Sequence, residues 1–149
     1  MTMKWLKRKN GERGAALMEV ALTLPLMLLV AVGIFEFGRA YQTWQVLTNA
    51  AREGARVAVL PGTNDAAVRA RVQAYLDAGI ISDASGATVT ITRNNTIAIG
   101  AGTATASRVV VAFPFSFIVL QPVARLVVAG STVGSALTMT AAATMRNES

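Results

Sequence analysis

Residues 13–35 read RGAALMEVALTLPLMLLVAVGIF, and this stretch decides what kind of molecule the chain is. From Ala15 to Phe35 there are 21 residues whose only charge is Glu19, which meets the roughly 20 apolar residues a helix needs to cross a hydrocarbon core. The segment before it is basic: Lys4, Lys7, Arg8, Lys9 and Arg13 stand against Glu12, a net +4. Lys and Arg beside a span stay on the cytoplasmic side, so the rest of the chain is expected on the other side of the membrane. Pro25 lies inside the span, where its ring strips one backbone hydrogen bond and bends the axis. Thr23 is placed to serve the carbonyls freed nearby.

Composition agrees with a membrane-associated chain. Of 149 residues, 53% are hydrophobic and 15% charged, with a mean hydropathy of +0.47; ordinary soluble domains carry about 25% charge. The length leaves room for one compact domain beyond the span. The net charge of +6 is largely concentrated before the apolar run, so it reads as an orientation signal rather than a nucleic-acid surface. Absence of Cys and His removes disulfides, structural zinc, thiol nucleophiles and imidazole bases. The carboxylates Glu36, Glu53, Asp65, Asp77, Asp83 and Glu148 show no catalytic spacing. No glycine-rich phosphate loop or nucleophile elbow is present. Neither an enzyme, nor a cofactor, nor a metal is expected.

Beyond the span the helical period continues. Phe37, Tyr41, Trp44, Leu47, Ala51, Ala55 and Ala58 recur at spacings of three and four, an apolar stripe that needs a domain or another subunit to cover it. Arg39, Gln42, Asn49, Arg52, Glu53 and Arg56 form a polar face, and Leu60-Pro61-Gly62 ends the helix. One helix from Ala15 to about Val59 would be about 65–70 Å long. A second helix is predicted from Asp65 to Ala78, with Asn64 or Thr63 as N-cap, Gly79 as a left-handed stop, and Val68, Val72, Tyr75 and Leu76 buried. After it the period falls to two. Val89 and Ile91 alternate with threonines, Asn94-Asn95 offers turn chemistry before Ile97 and Ile99, and strands follow at Val109 to Phe115 and from Leu137 to the C-terminal Thr144. Pro114, Gln121, Pro122 and Arg125 interrupt the apolar run from Val109 to Val128, so it reads as buried strand, loop and helix rather than a second span. The expected fold is α+β: a long N-terminal helix, a second helix and a small antiparallel sheet. The expected divisions are a basic leader (1–14), a transmembrane helix (15–36), an amphipathic extension (37–60) and an exported head (61–149).

Gly14 and Glu19 carry a connected chemistry. Glycine has no Cβ, so an extended backbone there can approach a protease closely. A cut after Gly14 would leave a cationic amine on Ala15, with Glu19 about 6 Å further along the helix axis. An unpaired carboxylate in lipid costs several kcal/mol, whereas opposite charges about 4 Å apart recover on the order of 4 kcal/mol at an effective dielectric of about 20. Glu19 is therefore a candidate for pairing with the amine of its own or a neighbouring subunit. Ala16, Ala21, Ala31 and Gly33 supply small surfaces for close helix contact.

The segment from Arg13 to Arg56 resembles the TadE-like family, minor pilins or pseudopilins of tight-adherence systems. The residues carrying the resemblance are Arg13-Gly14-Ala15-Ala16, Glu19, Leu24-Pro25, Glu36-Phe37-Gly38-Arg39 and Asn49-Ala50-Ala51-Arg52-Glu53-Gly54-Ala55-Arg56; the ending Ala143 to Glu148 resembles the family more weakly. The resemblance implies cleavage by a prepilin peptidase and insertion in the bacterial inner membrane, with the N-terminus cytoplasmic and the head periplasmic or carried into an extracellular pilus. It also implies partnership with other pilin-like subunits, an assembly platform and membrane lipid. Val20 follows Glu19 where the short major subunits have Tyr, which favours a minor subunit.

Three other readings compete. A secretory signal would use Ala31-Val32-Gly33 as its cleavage rule, but Glu19 sits in its apolar core and the helical pattern continues past the cut. An uncleaved single-pass anchor for an exported domain explains the charge bias without explaining Gly14 and Glu19. Arg39, Arg52, Glu53 and Arg56 face solvent, anionic headgroups or another subunit rather than nucleic acid. Tyr41 and Trp44 read as packed aromatics, with Tyr41 also suited to an interfacial belt.

Overall fold

The structure is a computed structural model that describes residues 9–79 and 84–147. Trp5, the basic residues 4–8, Asp83 and Glu148 lie outside them. Helix α1 runs unbroken from Lys9 to Ala58, 50 residues or about 75 Å. It therefore starts before Gly14, which is helical rather than extended, and it passes through Pro25 without ending. The Thr23 hydroxyl donates to the Glu19 carbonyl at 2.9 Å. That carbonyl lies one turn back, so Thr23 does not serve Ala21, whose carbonyl Pro25 leaves without its usual donor. Every residue from Gly14 to Ala31 is exposed.

Leu60, Pro61 and Gly62 turn the chain after α1, with Gly62 at φ +78°. Helix α2 spans Asp65–Ala78, and the Asn64 side chain caps it by accepting from Ala67 N at 2.9 Å. Gly79 stops it at φ −82° rather than in the left-handed region. Glycine is needed there for space: a Cβ would come within 2.4 Å of Val46 Cγ1 on α1. Val68, Val72 and Leu76 are fully buried, whereas Tyr75 sits at the edge of the helix contact and is exposed.

A 3₁₀ turn at Ala84–Gly86 leads into three antiparallel strands, β1 Thr88–Ile99, β2 Gly102–Phe115 and β3 Leu137–Arg146, ordered β1-β2-β3. Asn94-Asn95 does not divide two strands. Thr92 faces Arg108 while Asn95 faces Ala106, so β1 carries one extra residue, and Asn94 takes φ +54° to absorb it. Asparagine tolerates the left-handed region in a bulge as well as in a turn. The true turn follows Ile99 at Gly100, with φ +58°, and one long strand replaces the two expected. Pro114 falls beyond the last β1 pair, Thr88 with Ala112, where β2 has a free edge that needs no donor.

The upper half of α1 packs against α2 and against β2 and β3. Leu47, Ala50, Ala51, Ala55 and Ala58 meet Val68, Val72, Val89, Val109, Val111 and Ala141 in the core. Gly54 lies where all three layers converge: a Cβ would come within 2.5 Å of Val72 Cγ2 and 3.2 Å of Val109 Cγ1. Arg93 fixes one end of the core, binding Asp65 Oδ1 at 2.7 Å and the Ala58 carbonyl at the end of α1 at 2.8 Å. The architecture is α+β, with a long N-terminal helix, a second helix and a three-stranded antiparallel sheet.

Two apolar stretches are not covered by the chain's own head. Phe37, Tyr41 and Trp44 are 66%, 62% and 46% exposed. Apart from Glu36, full burial on α1 begins only at Leu47, so the lower end of the stripe extends below the cover the head provides. Between β2 and β3 the chain does form a loop and a short helix, α3, Leu120–Val127. This segment is not buried in a core: Ile118 and Val128 are exposed.

Candidate functional site

The site is α1 itself, which falls into three zones. The lowest zone holds Gly14, Ala15, Glu19 and Pro25. Gly14 and Ala15 are exposed on a continuous helix, with open space around Gly14, so a protease would have to unwind the chain to reach the Gly14–Ala15 bond in an extended form. Glu19 is exposed one turn above Ala15, the spacing at which side chains share a helix face. Among the described residues α1 is the one helix long and apolar enough to cross a membrane. Among the described residues, its apolar lower surface meets only the arm described next.

The middle zone is Glu36-Phe37-Gly38-Arg39. Glu36 is fully buried. Its Oε2 accepts from Arg39 Nη1 at 2.7 Å, and its Oε1 accepts from the backbone N–H groups of Ile118 at 2.8 Å and Val119 at 2.5 Å. Residue Val119 occupies the N-cap position of α3 but has no side chain able to cap it. The cap therefore comes from another helix, and the carboxylate also suits the positive N-terminal end of the helix dipole. Arg39 completes a clasp: Nη2 donates to the Ser116 carbonyl at 3.3 Å, and the guanidinium carbon lies 5.0 Å from the centre of the Phe115 ring. Phe115 in turn meets Phe117 edge-on at 5.2 Å. The clasp ties the segment 116–136, between β2 and β3, to the helix.

Below the clasp, α3 lies beside the lower part of α1. Val123 and the α1 residues Pro25, Leu26, Leu28, Leu29 and Val32 line a cleft of about 650 Å³ that is apolar throughout.

The upper zone is Asn49 to Arg56, and here the charged residues proposed to face a subunit divide. Glu53 is engaged within the chain, accepting from Arg71 Nη2 at 2.8 Å and Arg56 Nε at 3.2 Å. The hydrogen bonds from Arg71 and Arg56 hold its carboxyl below the usual glutamate range, against a smaller opposing effect of burial. Arg52 and Arg56 are exposed, although Arg56 is already engaged by Glu53. Ala50, Ala51, Gly54 and Ala55, between these charges, are core. The residue after β3 is tied to the sheet: the Asn147 side chain accepts from buried Ser107 at 2.8 Å and donates to Asn94 at the bulge at 3.1 Å.

Sequence reasoning did not single out the clasp, Arg71 or Arg93. A signal for the clasp existed in the pairing of Glu36 with Arg39 three residues on, directly after an apolar run, since a bare carboxylate there needs a cation and donors. The donors come from residues 118 and 119, more than eighty positions away, and no local pattern announces them.

Residues 14–56 match the family model described as TadE-like protein, under a third of the chain. No curated protein and no solved structure matches the chain. The match runs over all three zones of α1, and together with an apolar helix able to span a membrane it fits a pilus-associated, membrane-anchored protein.

Proposed function

We propose that this chain is a minor pilin or pseudopilin of a tight-adherence system, cut after Gly14 by a prepilin peptidase and built into, or initiating, a thin type IV-like pilus used for adhesion or secretion. The observation that carries the reading is the lower half of α1. It matches the family over the cut and Glu19, and its apolar surface from Gly14 to Ala31 is exposed in the isolated chain.

Before assembly the bilayer covers that surface, with the basic end cytoplasmic and the head on the periplasmic face. On extraction from the membrane, helices of neighbouring subunits take over, and the new amine on Ala15 pairs with Glu19 of the same or an adjacent copy to set the stagger. Arg52 and Arg56 supply charge at the periphery of that packing, where the assembly platform or a neighbouring subunit can meet them. The head stays folded throughout, because its core lies above the zone that changes environment.

The deciding experiment is the mature N-terminus, read by mass spectrometry after co-expression with a prepilin peptidase. Ala15 is expected. An N-terminus at Ile34 would replace the reading with a secretory signal, and an uncut chain in the presence of active peptidase would leave a single-pass anchored domain. Glu19→Ala is expected to be cut normally and to fail in assembly; normal assembly of that variant would remove the amine pairing from the mechanism.

A further inference from the structure

We propose that residues 116–136 form a second membrane contact, in which α3 lies in the leaflet on the head's side and the cleft between α3 and α1 is filled by a lipid acyl chain. The inference rests on α1 spanning the bilayer, as proposed above, and goes beyond it by giving the head its own lipid-facing arm.

Height along α1 is the first support. The clasp fixes Ile118 and Val119 at the level of Glu36, and from there the chain descends until Val123 stands against α1 between Pro25 and Val32. Those residues lie four to eleven positions below Glu36, which places them about 6–16 Å deeper along the axis. Interfacial helices sit with their apolar faces about 5–10 Å into the boundary between headgroups and acyl chains. If α1 crosses the bilayer, α3 cannot avoid that depth.

The chemistry of the arm is the second support. Arg125 is its only charged residue, and it is exposed, with a side chain long enough to reach phosphate at the membrane surface. Ile118, Val128 and Val133 are 60%, 59% and 58% exposed. Val123 joins the arm to the exposed apolar surface of α1, so one apolar medium can cover both. In water the apolar cleft would hold poorly bonded solvent, whereas an acyl chain matches its lining.

The clasp supplies the third support. A helix whose first N–H groups face water needs no protein cap, but one sunk toward lipid has no water to bond. Glu36 meets that need for Ile118 and Val119, and Arg39 neutralises it. The turns after α3 bond to themselves, Ser131 N to the Val128 carbonyl and Ser135 N to the Thr132 carbonyl, both at 3.0 Å. Those bonds keep part of the irregular backbone satisfied within the arm, as a segment beside lipid requires.

The chain has no cysteine, so single cysteines can be placed in the full-length protein and labelled with an environment-sensitive fluorophore. Ile118→Cys, Val128→Cys and Val133→Cys report on the arm, Ala31→Cys on the span, and Ala98→Cys on the far end of the sheet. The proteins are reconstituted in vesicles of phosphatidylethanolamine and phosphatidylglycerol, with and without brominated acyl chains. Loss of fluorescence to brominated lipid at Ala31 and at the arm positions, but not at Ala98, is the expected result. Quenching at Ala31 alone would overturn the arm contact and leave the span intact. No quenching at Ala31 would overturn both. Arm probes shielded from iodide yet untouched by brominated lipid would show that protein, a second copy included, covers the arm, and would also overturn the proposal.

Discussion

The two halves of α1 share one helical period and differ in what covers them. Above Leu47 the inward face is built of small residues, Ala50, Ala51, Gly54, Ala55 and Ala58, with α2 and the sheet drawn tight against them. Below Glu36 the side chains are large, Leu22 and Leu17 being 76% and 70% exposed. The residues that match the TadE-like family therefore do two kinds of work. Asn49 to Arg56 assemble the chain's own head, whereas Gly14 to Phe35 present a surface that, among the described residues, meets little besides α3. Glu36 and Arg39 mark the boundary between the two.

Breaking that boundary should have the largest effect. Glu36→Ala removes a buried carboxylate and leaves the partly exposed Arg39 and two backbone donors without their acceptor, a loss of about 3–4 kcal/mol at about 1–3 kcal/mol for each unsatisfied donor. Hydrogen exchange in detergent is expected to show residues 116–128 opening while α2 stays protected. Equal loss of protection in both would mean that the arm and the head fold as one unit.

The halves themselves can be compared with matched truncations. Leu47→Ala is expected to lower the stability of the head by about 3 kcal/mol, within the range for a fully buried leucine. Leu22→Ala, on the exposed half, should leave the denaturant midpoint of the head unchanged and instead weaken retention in the membrane or assembly. A matching loss of head stability from Leu22→Ala would deny the division of α1 proposed above.

How much of this was legible follows the same division. The span, the helix continuing beyond it, α2 with its Asn64 cap and the alternation of β2 and β3 are local patterns, and local patterns suffice to find them. The role of Asn94 was not legible, because a left-handed asparagine serves a bulge and a turn alike; only the pairing of Asn95 with Ala106 decides between them. Exposure of Phe37, Tyr41 and Trp44 was hidden for a related reason. Periodicity shows which face is apolar and not how far along the helix the covering element reaches. Arg52, Glu53 and Arg56 read alike in sequence, yet only Glu53 has Arg71 within reach from α2. Gly14, Ala15 and Glu19 stand out as a pattern, and the cleavage and pairing proposed for them involve a peptidase and neighbours rather than contacts within the chain.

Gly54 tests how tightly the upper half is closed. Gly54→Ala would add a Cβ within 2.5 Å of a Val72 methyl group, closer than packed atoms approach, so the neighbours must move. The gain in helix propensity, about 1 kcal/mol, is expected to be outweighed, with a net loss of about 1–2 kcal/mol from overpacking. Thermal unfolding of the full chain in detergent measures the sign directly. A stabilised variant would show that α2 can shift away from α1 freely, and that the small-residue face is not what holds the head close.

The smallest effect concerns the ion pairs that join α1 to α2. The carboxyl of Glu53 is held below its ordinary value of 4.5, chiefly by hydrogen bonds from Arg71 and Arg56. A carboxylate lowered in the folded state contributes stability that is fully present above its unfolded pKa and fades as pH falls through the folded one. Both arginines are more than half exposed, so solvent limits the contribution to about 1 kcal/mol or less. Glu53→Gln should thus be slightly less stable than the parent at neutral pH, and the gap should close on acidification below about pH 4.5, with added salt narrowing it at any pH. A gap that persists in acid would assign the role of Glu53 to packing against α2 rather than to charge, and would make the joint between the helices steric throughout.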